Sequence, residues 1–158
     1  MKQTLEEQLQ NIFIQRQWTL SLAESCTGGA IAARLTRLSG CSCYFLGSIV
    51  SYSNSLKVSI LGVEEHLIQQ FGAVSAEVVS QMAQGALKVT QSDFSLAISG
   101  IAGPTGGSIA KPVGTVWAAI GRQDQSPLVW CFQLKGSREE IIQQSVEVVL
   151  QHLLTFIL

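Results

Sequence analysis

The chain has 158 residues, 47% hydrophobic and only 13% charged, with a formal net charge of −1. That length suits one domain with a full core, while ten Lys and Arg spread without a cluster offer no basic footprint for nucleic acid. No run approaches the roughly 18 apolar residues that a membrane span needs, so no membrane partner is expected.

A charged share well under the usual ~25% leaves surface for a second copy to cover, so a homodimer is expected, although a large core accounts for the same composition. The segment Met1-Lys2-Gln3-Thr4-Leu5-Glu6-Glu7 lacks the basic-then-apolar character of a signal peptide, which points to the cytoplasm. Cysteines at 26, 41, 43 and 131 do not form a disulfide framework for such a chain. Cys41-Ser42-Cys43 is too short for the usual zinc spacing, and the two histidines, His66 and His152, fall within helical patterns, so no metal site is expected.

Thr4 and Glu7 form a capping box, and Leu5, Leu9, Ile12 and Phe13 follow on one helical face. The run 18–23 reads as a first strand, and 28–38 as a helix ending before Gly40. Tyr44 to Tyr52, rich in aromatic and β-branched residues, reads as a second strand. Asn54 or Ser55 is the expected cap of a short helix carrying Lys57, Ile60 and Leu61. A second short piece, 64–71, stops at Gly72, and Ser75 caps a clear helix over 76–90. Phe94 to Ser99 reads as a buried strand, and Gly100 to Pro112 as a glycine-rich loop. Residues 114–121 and 128–134 form a hairpin, and Ser137 with Glu140 boxes the start of a terminal helix. Strands interleaved with helices predict an α/β domain with helices on both faces of a sheet, made mixed by the closing hairpin. With no internal repeat or linker, one domain over 1–158 is expected.

Two segments carry candidate chemistry. Glu24-Ser25-Cys26-Thr27-Gly28-Gly29 joins the first strand to a helix, so Ser25 meets unpaired backbone N–H groups and the positive end of a helix dipole. That place suits an anion or an oxyanion, and equally an ordinary strand–turn–helix joint capped by Ser or Thr. If Ser25 is a nucleophile, Lys57 is the candidate base, since a buried lysine can lose its charge; a solvated helix lysine fits the same spacing. Tyr52 is placed to hydrogen-bond either of them. Gly100, Gly103, Gly106 and Gly107 permit close backbone approach in the second segment, which matches neither the P-loop nor the dinucleotide fingerprint. A 13-residue loop with so little side-chain mass favours a ligand site over a long turn.

With these residues laid out, the chain resembles the CinA C-terminal-domain family, the nicotinamide-mononucleotide deamidases. The resemblance rests on Ala23-Glu24-Ser25-Cys26-Thr27-Gly28-Gly29, Tyr52-Ser53-Asn54 with Lys57, Leu61-Gly62-Val63, and Gly72-Ala73-Val74-Ser75. It continues through Ser99-Gly100-Ile101-Ala102-Gly103-Pro104 with Gly106-Gly107, and Lys111-Pro112-Val113-Gly114-Thr115-Val116-Trp117. It implies a three-layer α/β/α sandwich, often dimeric, that hydrolyses the carboxamide of nicotinamide mononucleotide to nicotinic acid mononucleotide and ammonia. A serine nucleophile and lysine base are implied at Ser25 and Lys57, with Tyr52 and Ser42 as supporting hydroxyls and Arg138 as a substrate anchor. Ser137 stands where the family commonly has an acidic residue, and Cys41 and Cys43 flank Ser42 where small residues are usual.

On this reading, N–H groups over Cys26, Thr27, Gly28 and Gly29 hold the oxyanion, the 100–107 loop and Arg138 hold the phosphate, and no metal or organic cofactor is required. The alternatives are a catalytically idle nucleotide-binding or accessory module on the same fold, and a hydrolase of another small amide or ester.

Overall fold

The computed structural model describes residues 3–158, and its elements follow from the caps and apolar periods of the sequence. Helix α1 (Leu5–Arg16) starts at the Thr4–Glu7 capping box and buries Leu5, Leu9 and Phe13. Strand β1 (Leu20–Glu24) is buried throughout and ends on Glu24, one residue beyond the expected strand. Helix α2 (Ala30–Leu35) is shorter than expected, because Gly28 and Gly29 adopt φ values of +58° and +101° and belong to the turn before it. A single 3-10 turn at Cys41–Cys43 leads into β2 (Phe45–Val50). Helix α3 (Asn54–Ser59) is capped by Ser53, whose hydroxyl accepts the Leu56 N–H, rather than by Asn54 or Ser55. Helices α4 (Glu65–Phe71) and α5 (Ala76–Thr90) follow, the latter capped by Ser75 as expected. Strands β3 (Phe94–Gly100), β4 (Thr115–Arg122) and β5 (Leu128–Gln133) precede the terminal helix α6 (Arg138–Ile157), which opens on the Ser137–Glu140 capping box.

The five strands form one sheet in the order β2-β1-β3-β4-β5. β1 runs parallel to both β2 and β3, whereas β4 and β5 are antiparallel to their neighbours, so the sheet is mixed as the hairpin predicts. Alternation along the strands divides the core in two. Leu20, Leu22, Leu96 and Ile98 pack beneath α1, α2 and α6 with Phe13, Leu35, Leu150 and Leu153. Ala23, Ala97 and Ala119 face the other way, where Val78, Val79, Met82 and Ala86 of α5 meet Leu61 and Val63. This is the three-layer α/β/α arrangement.

The small residues of the second face allow a close approach that matters for the site. Gly85 of α5 lies so near the chain after α3 that a Cβ there would sit 2.0 Å from the Leu61 carbonyl oxygen. A mid-helix glycine costs about 0.5–1 kcal/mol against alanine, and here its absent side chain lets the segment carrying Lys57 seat against the sheet.

Candidate active site

The carboxyl ends of the parallel strands β1 and β2 deliver Ser25 and the Ser51–Lys57 segment to one cleft. Ser25 follows β1 directly, and its N–H donates to the Ile98 carbonyl at 3.2 Å, continuing the β1–β3 pairing into the turn. The Gly28 N–H returns to the Ser25 carbonyl at 3.0 Å. Gly29, at the N-cap of α2, has no side chain with which to cap the helix. The Glu24 carboxylate does so instead, accepting the Ile31 N–H at 2.9 Å and the Ala32 N–H at 3.2 Å. Neither Ser25 nor Thr27 is the cap, and Thr27 spends its hydroxyl on Glu24 at 2.7 Å. The N–H groups of Cys26 and Thr27 donate to no main-chain carbonyl among the described residues and lie against the Cys26 sulfur.

Lys57 lies one turn into α3 and is 1% exposed. Its Nζ sits 3.0 Å from Ser25 Oγ, 2.8 Å from the Ser51 carbonyl oxygen and 3.0 Å from that of Tyr52. Burial pushes its pKa below the ordinary lysine value, because desolvation penalises the ammonium. A neutral amine has two N–H groups and one lone pair. As the ammonium, Lys57 donates to all three oxygens; once a proton is lost, the two carbonyls hold both N–H groups and the lone pair is left facing Ser25 Oγ.

The cleft above this pair has a volume of about 260 Å³ and is lined by Ser25, Cys26, Tyr52, Lys57 and Arg138 together with Gly100, Gly103 and Gly106 of the glycine-rich loop. No carboxylate lines it among the described residues, so Lys57 and Arg138 are its charged side chains. Gly100 is required by space: a Cβ there would lie 2.8 Å from Val116 Cγ2 and 3.2 Å from Cys26 Sγ. Arg138 closes one wall, donating to the Gly103 carbonyl at 2.8 Å and to the Tyr52 hydroxyl at 3.0 Å. Arg138 is therefore oriented without an acidic partner at position 137. The loop is fastened on its other side by the Lys111 ammonium, which donates to the Phe71 carbonyl at the end of α4. The Cys26 thiol, desolvated by burial, is pushed up to about 12 and stays protonated at neutral pH.

Several sequence expectations change. Tyr52 reaches Lys57 through its main-chain oxygen, and its phenol bonds Arg138 rather than Ser25 or Lys57. Ser42 is exposed in the 3-10 turn before β2, at the far end of the strand from Tyr52, about 20 Å away at roughly 3.3 Å per residue; it does not reach the cleft. Thr27, Gly28 and Gly29 shape the Ser25 turn without lining the cavity, and Gly107 packs against Val113 instead. Two polar side chains absent from the expected set, Asn54 and Thr105, do line it. Asn54 was legible inside the Tyr52-Ser53-Asn54 block and masked by its reading as a helix cap. Glu24 was also missed, although an acid seven and eight residues before two helical N–H groups, with glycine at the cap, is its signal.

The family model described as the CinA C-terminal domain matches residues 2–157. A CinA-like protein of Geotalea daltonii is 50% identical over 88% of this chain, which spans 33% of that relative's length. A nicotinamide-nucleotide amidohydrolase PncC of Shigella flexneri is 43% identical over 94% of this chain and 90% of its own length. The crystal structure of the competence/damage inducible protein CihA from Agrobacterium tumefaciens superposes with a TM-score of 0.93 at 38% identity, covering 96% of this chain and 92% of that one. A CinA superfamily protein from Enterobacter cloacae gives a TM-score of 0.93 at 30% identity, over 100% of this chain and 96% of that one. The family-model match over residues 2–157, together with these likenesses in sequence and structure along nearly the whole length, places the chain in the CinA C-terminal domain family.

Proposed function

We propose that the chain is an amidohydrolase that converts nicotinamide mononucleotide and water to nicotinic acid mononucleotide and ammonia. The observation that carries the reading is the seating of Lys57 Nζ between two main-chain carbonyls and Ser25 Oγ in a cleft without carboxylates. The name of the Shigella flexneri relative supports the substrate.

Neutral Lys57 takes the Ser25 proton as Oγ bonds to the carboxamide carbon. The resulting oxyanion is received by the N–H of Cys26, the turn residue that lines the cleft beside Ser25, such a donor being worth about 3–4 kcal/mol. The C–N bond then breaks, and the Lys57 ammonium passes its proton to the departing nitrogen, giving ammonia. Water attacks the acyl carbon and gives a proton to Lys57; the Ser25 Oγ–C bond then breaks, and Lys57 returns that proton to Oγ as the acid is released. Arg138 holds the substrate phosphate, and Asn54 and Thr105 are the polar groups left for the sugar. Cys26, protonated, does not compete as a nucleophile. A homodimer is proposed as the working form, with the exposed apolar side chains Leu46 and Val50 of the edge strand β2 as the surface available to it.

Ammonia release from nicotinamide mononucleotide by the purified protein tests the reading. Wild type is expected to release one ammonia per nucleotide, and Ser25→Ala none while remaining folded. Release by Ser25→Ala at the wild-type rate would remove the nucleophile assignment, and no release by wild type would leave a binding module.

A further inference from the structure

Glu24 precedes Ser25, is fully buried, and takes no part in the proton transfers above. Its carboxylate accepts four hydrogen bonds. Oε1 receives the Thr27 hydroxyl at 2.7 Å and the Ile31 N–H at 2.9 Å; Oε2 receives the Ala32 N–H at 3.2 Å and the Ser48 hydroxyl at 2.8 Å. These donors belong to the Ser25 turn, the first turn of α2, and β2. A carboxylate withdrawn from water persists only when its oxygens are paired, and here each oxygen has two donors.

The main chain of the same residue reaches the base. The Ser51 N–H donates to the Glu24 carbonyl at 2.9 Å, and the Ser51 carbonyl accepts from Lys57 Nζ. Nucleophile turn and lysine seat therefore share one fixed point. We infer that Glu24 is a positioning residue, a built-in anion that locks the Ser25 turn to α2 and β2 and so holds Ser25 Oγ in register with Lys57 Nζ. The four donors to its side chain and the bond to its carbonyl carry this geometry independently of the substrate; only the activity assay rests on the proposed amidohydrolase.

Glu24→Gln is the direct test, because the amide keeps the volume and loses one acceptor. Whichever way it turns, its NH2 faces the N–H of Ile31 or Ala32, and neither backbone donor can reverse. The variant is expected to fold, to lose about 10²-fold in kcat, the scale of a displaced reacting group, and to keep KM within about threefold of wild type. Phosphonylation of Ser25 by a fluorophosphonate, in which an Oγ–P bond forms and fluoride leaves, followed by intact mass, is expected to slow in parallel. A folded Glu24→Gln with kcat and labelling rate within threefold of wild type overturns the inference.

If that variant does not fold, Ser48→Ala removes one donor from β2 and leaves the turn intact. It is expected to lower kcat about fivefold at unchanged KM, the equivalent of one hydrogen bond, and an unaltered kcat overturns the inference. A wild-type protein that is labelled at Ser25 yet hydrolyses no amide nucleotide sinks the substrate reading, while the labelling rates still decide the role of Glu24. A wild type that neither reacts with the probe nor releases ammonia overturns both.

Discussion

Strand β1 carries a buried serine near its start, Ser21, and another just past its end, Ser25, and their surroundings differ in one respect. At the start, Ser21 Oγ and Ser92 Oγ lie 2.8 Å apart, Ser92 Oγ donates to the Phe94 carbonyl at 2.8 Å, and the Thr90 hydroxyl donates to Ser92 at 3.0 Å. Thr19 and Asp93 close the set: the Thr19 N–H and hydroxyl donate to the carboxylate at 2.8 and 3.0 Å. No amine stands among these partners, and the hydroxyls only satisfy neighbouring hydroxyl, carbonyl and carboxylate oxygens. At the end of the strand, Ser25 meets an amine whose charge is penalised by burial and balanced by no carboxylate in the cleft. Burial of a hydroxyl does not make a site; a neighbour able to exchange a proton with it does.

The largest effect that would sharpen this contrast comes from Lys57→Met, which keeps the stem and removes the amine. Loss of a general base is expected to lower kcat by about 10²–10⁴. In the wild type, kcat/KM is expected to rise with pH through the lowered pKa of Lys57 and level off before the ordinary lysine value of about 10.4. Stability follows the same group. Between its lowered folded pKa and about 10.4 the unfolded chain binds a proton that the folded chain does not, so stability from Lys57 rises with pH across that window. Below the folded pKa both states are protonated and the burial penalty is at its full value. Lys57→Met is expected to flatten this rise, measured as denaturation midpoints from neutral to alkaline pH. Retained turnover in Lys57→Met would erase the distinction between the two serines.

Legibility in the sequence followed the range of the interaction responsible. Helices α1 and α6 were readable because their capping boxes and apolar periods are local. The overextended helix over 28–38 failed on two glycines whose left-handed conformations serve the turn. Lys57 was open to two readings because its partners are distant in sequence: its Nζ meets Ser25 from 32 positions away, and the chain after α3 packs on Gly85 through Leu61, 24 positions apart. Ser42, placed by resemblance alone, illustrates the converse. It precedes β2 while Tyr52 and Lys57 follow it, and the two ends of a strand open on opposite sides of a sheet. The roles of Cys26 and Tyr52 required coordinates, since a thiol's desolvation and the choice between phenol and carbonyl leave no mark on spacing.

A smaller effect is expected at Arg138, on the rim of the reactive end. Arg138→Met removes a cation that touches neither Ser25 nor Lys57, and its bonds to Gly103 and Tyr52 go with it. A charge-assisted contact to the substrate phosphate is worth about 1.5–3 kcal/mol, so KM is expected to rise by about tenfold or more, with kcat within a few-fold of wild type. Initial rates over a wide substrate range separate the two. A collapse of kcat at unchanged KM would instead make Arg138 part of the proton-transfer geometry.

The smallest catalytic effect belongs to the other end of β1. Ser92→Ala removes the hydroxyl that joins Ser21, Thr90 and the Phe94 carbonyl, leaving Ser21 Oγ buried without that partner. The unmatched hydroxyl is expected to cost about 1–3 kcal/mol of stability, read as a lowered denaturation midpoint. Turnover is expected to stay at the wild-type value, because the change lies at the start of the strand and the reacting groups at its end. The pairing of a lost stability with an untouched kcat is what a structural hydroxyl produces and a reactive one does not. If Ser92→Ala also slowed ammonia release, the two ends of β1 would be coupled through the strand, and the fixed point at Glu24 would no longer isolate Ser25 from the rest of the sheet.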